Sequence, residues 1–170
     1  AYFGITAANS TTNVAGTHYP LIFGLGGTSL SVGDQLNHFG TGTDPDTSLT
    51  IATTADDMIA CYWYIMDDIT IDRVIWWSGA DAATGDTTRT HLMSYTVDSG
   101  NSATSGDLSS GAVVAYSSDV TNAGYEQAYY NQMTISSADV DAGKVLMFLF
   151  RSDSINSDFA INATVKYHLR

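Results

Sequence analysis

The chain has 170 residues, enough for one domain, and its six Lys and Arg against eighteen Asp and Glu give a net charge of −12. That balance repels phosphate backbones and anionic lipid, and the cations at 73, 89, 144, 151, 166 and 170 form no adjacent basic patch, which excludes nucleic acid and membrane surfaces as direct partners. Thr and Ser supply 39 residues, whereas Glu and Lys, the usual fillers of exposed helix faces, supply three, so the composition argues against a helical protein.

In chain order, hydrophobic alternation and turn residues lay out a succession of strands. Residues 2–6 and 19–23 read as the first short ones. The glycine-rich stretch 24–29 lacks the Lys and the following helix of a phosphate cradle and reads as a loop, as does 41–46. Residues 49–53 read as a strand. Three runs, 58–66, 74–77 and 145–150, are apolar on both faces. Such runs are central strands of a sandwich, or strands whose outer face a neighbouring subunit covers. Residues 93–97 and 112–116 alternate, and 125–135 form a long alternation with an extra aromatic, Tyr130, on the opposite face. Ser136, Asp139 and Gly143 carry the marks of one capped helical turn. The clearest alternation ends the chain, with Phe159, Ile161, Ala163, Val165, Tyr167 and Leu169 on one face. The expectation is an all-β, antiparallel β-sandwich of eight to ten strands with Greek-key or jelly-roll wiring.

The longest apolar run, 58–66, has nine residues, about half of the roughly 20 a spanning helix needs. The single cysteine, Cys61, lies inside it, which removes disulfides and thiolate zinc clusters within one chain and predicts an inert core thiol. The start, Ala1-Tyr2-Phe3-Gly4, has no charged leader segment, and synthesis in the cytoplasm is the expectation.

Little in the chain points to a chemical step. Nucleophile-elbow, zincin, Walker and EF-hand patterns are missing, and His18, His38, His91 and His168 lie far apart without a His-x-His pair. No cofactor is expected. Acids pair at 44/46, 56/57, 67/68 and 139/141, positions where Asp caps turn amides. Of these, Asp44, Asp46, Asp56 and Asp57 are the candidates for a Ca²⁺ site built from loop oxygens.

The aromatic residues are more informative. Adjacent strand residues point to opposite faces, so Trp76 and Trp77 cannot both fill one core. The same holds for Tyr129 and Tyr130, and for Trp63 between Tyr62 and Tyr64. Trp63, Trp76, Trp77, Tyr129 and Tyr130 are therefore the candidate oligomer-interface residues. Sugar stacking is the competing explanation, disfavoured because Met66, Val74 and Ile75 nearby are poor sugar partners.

The segment Asp68-Ile-Thr-Ile-Asp-Arg-Val-Ile-Trp-Trp-Ser-Gly79, then Thr90-His-Leu-Met-Ser-Tyr-Thr-Val97, resembles small jelly-roll structural proteins of tailed phages, marine phages in particular. The ending Ala142-Gly-Lys-Val-Leu-Met-Phe-Leu-Phe-Arg-Ser-Asp153, with Ile161 to Tyr167, fits the same pattern. The likeness spans residues 50–169 and lies in strand rhythm and composition. It implies a trimeric, tumour-necrosis-factor-like jelly roll serving as a capsid decoration (cement) subunit or a tail-fibre tip. Residues 1–47 are then expected to form an N-terminal arm and first strands, the arm lying on a neighbouring capsomer, and residues 48–170 the sandwich. A charge of −12 faces away from packaged DNA, and the chain has no coiled-coil shaft. The expected protein is a non-enzymatic homotrimer on the outer capsid surface of the virion, clamping major capsid subunits. The alternatives are a tail-fibre or receptor domain binding a host-surface glycan, and a small glycoside-active enzyme.

Overall fold

The computed structural model describes residues 1–7, 15–24, 38–51, 58–81, 84–98, 107–124, 127–153 and 158–170. Apart from a helical turn at Met58–Ile59, their secondary structure is β: two antiparallel sheets packed against each other as a β-sandwich. Sheet 1 contains β1 (Tyr2–Ala7), β3 (Ile22–Phe23), β5 (Ile69–Asp81), β9 (Gln127–Gln132), β11 (Asp139–Val140) and β13 (Asp158–Leu169), ordered β11-β5-β13-β1-β3 with β9 also on β5. Sheet 2 contains β2 (His18–Pro20), β4 (Trp63–Tyr64), β6 (Thr87–Val97), β7 (Leu108–Tyr116), β8 (Val120–Thr121), β10 (Thr134–Ile135) and β12 (Lys144–Ser152), ordered β10-β7-β6-β12-β2, with β4 on β12 and β8 on β6. The long strands pair in register over most of their length, β13 with β5 and β12 with β6.

Alternation explains the core between the sheets. Phe3, Ile161, Ala163 and Val165 from sheet 1 meet Leu92, Val114, Leu146, Phe148 and Phe150 from sheet 2, all buried. In β5 the inward positions change parity, from Ile69 and Ile71 to Val74 and Trp76. A bulge explains the change: Lys166 pairs with Arg73 but Tyr167 with Ile71, which leaves Asp72 as the extra residue. Both halves of this 13-residue strand therefore face the core.

Two predicted strands are split across the sheets. Residues 19–23 divide into β2 and β3 around Leu21, which is fully buried and donates its N–H to Phe148 O at 2.8 Å. Residues 127–135 divide into β9 and β10 around buried Met133, whose N–H reaches Val74 O at 2.9 Å. Inward residues stay inward through such a corner, so the sequence pattern runs on while the chain changes sheets.

Other expectations need correction. Run 58–66 is not a strand: Cys61 and Tyr62 donate to the carbonyls of Met58 and Ile59 at 2.9 and 3.2 Å, closing a tight turn, and only β4 is extended. Cys61 is nonetheless buried. The predicted helical turn at 136–143 is instead β11 and a turn closed by Gly143 at φ 85°, because Asp139 and Val140 dock on the edge of β5 and Thr70 Oγ1 donates to Asp139 Oδ1 at 2.7 Å. Of the strand expected at 49–53, Leu49 forms a single bridge to Leu108, and residues 52 and 53 lie outside the described residues. The described part of residues 1–47 supplies β1, β2 and β3, the first strands expected there. β1 pairs with β13 from Tyr2 to Ala7, and the Ala1 ammonium donates to Val165 O at 2.9 Å while Val165 N–H donates back to Ala1 O at 2.9 Å.

A second core lies on the outer face of sheet 2. There Met93, Tyr95, Val145, Met147 and Leu149 are covered by Phe39, Met58 and Cys61, all buried. The cover includes a strap, residues 38–51, fixed by Phe39 N–H to His18 O (2.9 Å), Tyr95 OH to Asp46 O (2.8 Å), Gly111 N–H to Thr47 O (2.8 Å) and two bonds between Leu49 and Leu108 (2.9 and 2.8 Å). The two-faced apolar character of 145–150 is thus met within one chain, without a neighbouring subunit. Gly111 is what lets the strap close in, since a Cβ there would sit 2.5 Å from Tyr95 Cε1 and 2.8 Å from Thr47 Cα. Gly111→Ala is expected to destabilise the fold by about 1–3 kcal/mol, read as a lower midpoint in urea unfolding. An unchanged midpoint would contradict this packing.

Candidate interaction surface

The bulge at Asp72 also sets what faces outward from sheet 1. Beyond it, Arg73, Ile75 and Trp77 point away from the core on β5, opposite buried Val74 and Trp76. Register places neighbours beside them. Trp77 lies between Tyr130 and Asn162, Ile75 between Gln132 and Thr164, and Thr164 lies beside Tyr2. Gly4, Gly79, Ala128 and Ala160 complete a flat floor of small residues. The indole of Trp77 meets the Tyr130 ring edge to face, centroids 5.1 Å apart, and Arg73 Nη2 donates to the Tyr130 hydroxyl at 3.2 Å. Trp77 is 51 %, Tyr130 49 % and Tyr2 48 % exposed. Sheet 2's outer face is covered; these rings are open to solvent.

Electrostatics mark the same face. Arg73 and Lys166 are cross-strand partners, and neither has an acid in ion-pair range among the described residues. Like charges directly opposite on a sheet are unfavourable unless an anion approaches. The other cations are occupied: Arg89 with Asp119 at 2.7 Å, Arg151 with Gly16 O at 2.7 Å, and Lys144 with Thr96 Oγ1 at 2.7 Å.

The structure brings together only part of the predicted interface. Trp77 and Tyr130 share the open face of sheet 1. Trp76 does not belong to it: it is fully buried in the inter-sheet core. Tyr129 is half-buried, its hydroxyl accepting from Ala123 N–H at 2.6 Å and bonded to Gln127 Oε1 at 2.9 Å. Trp63 is half-buried, stacked on Phe23 with centroids 5.8 Å apart and 4° between planes, and packed on Tyr167 at 5.0 Å. A cleft of about 160 Å³ lies there, lined by Trp63, Tyr64, Met66, Asp67, Tyr167 and Leu169. The alternation did not single out Tyr2, Arg73 and Lys166, because their adjacency depends on strand pairing.

Of the four Ca²⁺ candidates, two lie among the described residues. Asp44 Oδ1 sits 3.3 Å from His91 Nε2, Asp46 packs its carboxylate beside Gly40, and Asp56 and Asp57 lie outside the described residues. Among the described residues no three His, Cys, Asp or Glu side chains are grouped to hold a metal. The acids at 68, 139 and 141 surround Arg170, at 4.0, 3.4 and 2.6 Å. Comparison of the chain with protein-family models, with curated proteins and with solved structures finds no match in any of the three.

The opposite faces of the two tryptophans give a direct check. Trp76→Ala is expected to cost about 3–5 kcal/mol, and Trp77→Ala under about 1 kcal/mol, in denaturant unfolding of the unassociated chain. Equal costs would mean that inner and outer faces are assigned wrongly.

Proposed function

We propose that this chain is a non-enzymatic structural protein of a tailed-phage virion: a capsid decoration subunit on the outer surface, working as a homotrimer bound to major capsid subunits. The observation that carries the reading is the unequal treatment of the two outer faces. Sheet 2 is sealed by its own chain, whereas sheet 1 leaves Trp77, Tyr130 and Tyr2 open on a flat floor of small residues. An aromatic-rich face that also carries an arginine suits a protein–protein contact. The strand order supports reading the sandwich as a jelly roll of the tumour-necrosis-factor-like kind. β3-β1-β13-β5 with β9 and β11 faces β2-β12-β6-β7, and the chain passes from β5 to β6, and from β12 to β13, between sheets. The net charge of −12 suits an exposed outer shell.

A second reading, a glycan-binding tail-fibre domain, is favoured by one feature: Trp77 lies opposite Asn162, with Gln132 opposite the next outward residue, Ile75, and Arg73 bonded to the neighbouring Tyr130, polar groups that suit a sugar ring stacked on an indole.

The test is co-sedimentation with phage heads that lack the protein. Binding is expected for the unaltered chain and at least a tenfold loss for Trp77→Lys with Tyr130→Lys, together with loss of the trimer in sedimentation equilibrium. Heads that bind nothing, with host glycans that do, would replace the first reading by the second.

A further inference from the structure

One end of sheet 2's outer face carries a row of basic and ionisable groups beneath the strap. His18 on β2 and Arg89 on β6 both pair with Arg151 on β12, and His91 follows Arg89 on the same face of β6. His18 and His91 are 0 % and 1 % exposed, with rings edge to face at 5.3 Å. Each turns Nε2 to the strap: His18 to Gly42 O at 3.0 Å, His91 to Asp44 Oδ1 at 3.3 Å. Neither Nδ1 has a partner. The charged groups around the pair come from every neighbouring element: Arg151 from β12, Arg89 from β6 with its partner Asp119, and Asp44 from the strap.

We propose that the strap, residues 38–51, is a pH-gated cover: protonation of His18 and His91 releases it from Tyr95 and opens its side of the second core while the sandwich stays folded. Closed, the strap holds two imidazoles in contact in a dry site beside two guanidiniums, with Asp44 as the facing carboxylate. Charging both rings adds two like charges there, and opening returns them to water. Burial is the first cause that lowers both histidines; for His91 it combines with the neighbouring His18 and takes the ring to about 4. The closed state therefore binds fewer protons than the open state between about pH 6.5 and 4. Its stability is full above pH 6.5 and falls as pH drops through that window. The core between the sheets is built of apolar side chains, so the loss is confined to the strap.

Hydrogen exchange by NMR on the unaltered chain tests this, with protection corrected for the intrinsic rate at each pH. Reporting amides in the strap region are Phe39, Asp46, Leu49 and Gly111; controls are Ile75 and Val165 of sheet 1. Between pH 7 and 4 the strap amides are expected to lose on the order of 100-fold in protection, with the controls unchanged. Imidazole resonances of His18 and His91 should titrate over the same range. His18→Gln with His91→Gln should flatten the dependence. If that variant does not fold, the imidazole titration of the unaltered chain decides alone. Uniform loss at strap and control amides, or histidines that titrate while the strap stays protected, would overturn the proposal.

Discussion

Strand β12 is the constraint from which the rest follows. Val145 to Phe150 are all buried, with Leu146, Phe148 and Phe150 facing sheet 1 and Val145, Met147 and Leu149 facing the other way. At about 1.5–3 kcal/mol for each buried large apolar side chain, neither face can be left wet. A two-sheet sandwich covers only one of them. The second cover has to come from elsewhere, and this chain makes it from its own residues, 38–51 and 58–62. The turn at Met58 to Cys61, the close approach at Gly111 and the bond from Tyr95 to Asp46 all serve that cover.

Covering one outer face intramolecularly leaves the other as the face available for association. Among the described residues no such strap lies over Trp77 and Tyr130 on sheet 1. Its floor of glycine and alanine would let a partner come close to the backbone, and its rim of aromatics would supply apolar area at low entropic cost. Arg73 and Lys166, side by side with no acid in ion-pair range among the described residues, add a local positive spot to a chain of net charge −12. The asymmetry between the outer faces thus connects the packing demand of one strand to the choice of docking surface.

Much of this was legible in the sequence. Alternation located β6, β7 and β13, because each keeps one face on a core, whereas β5 and β12 stood out as runs apolar on both faces and residues 2–6 as a short strand, β1. The all-β class followed from Thr, Ser and Asp outnumbering Glu and Lys. Opposite faces for Trp76 and Trp77 followed from strand geometry alone. What alternation cannot reveal is which sheet a strand joins: inward residues stay inward through the corners at Leu21 and Met133. Nor does an apolar run disclose its cover, so 58–66 read as a strand although it is mostly the lid of the second core. The outward surface was half legible. Trp77 and Tyr130 were evident as surplus aromatics, whereas Tyr2, Arg73 and Lys166 join them only through pairing of residues more than fifty positions apart.

The central claim is that association uses the outer face of sheet 1. Hydroxyl-radical footprinting of the free chain and of the chain assembled on phage heads tests it most directly. Protection is expected at Trp77, Tyr130 and Tyr2, with Met66 and Leu169, exposed at the far cleft, labelled equally in both states. Unchanged labelling of Trp77 and Tyr130 in assembled particles, with protection at Met66 and Leu169 instead, would contradict it.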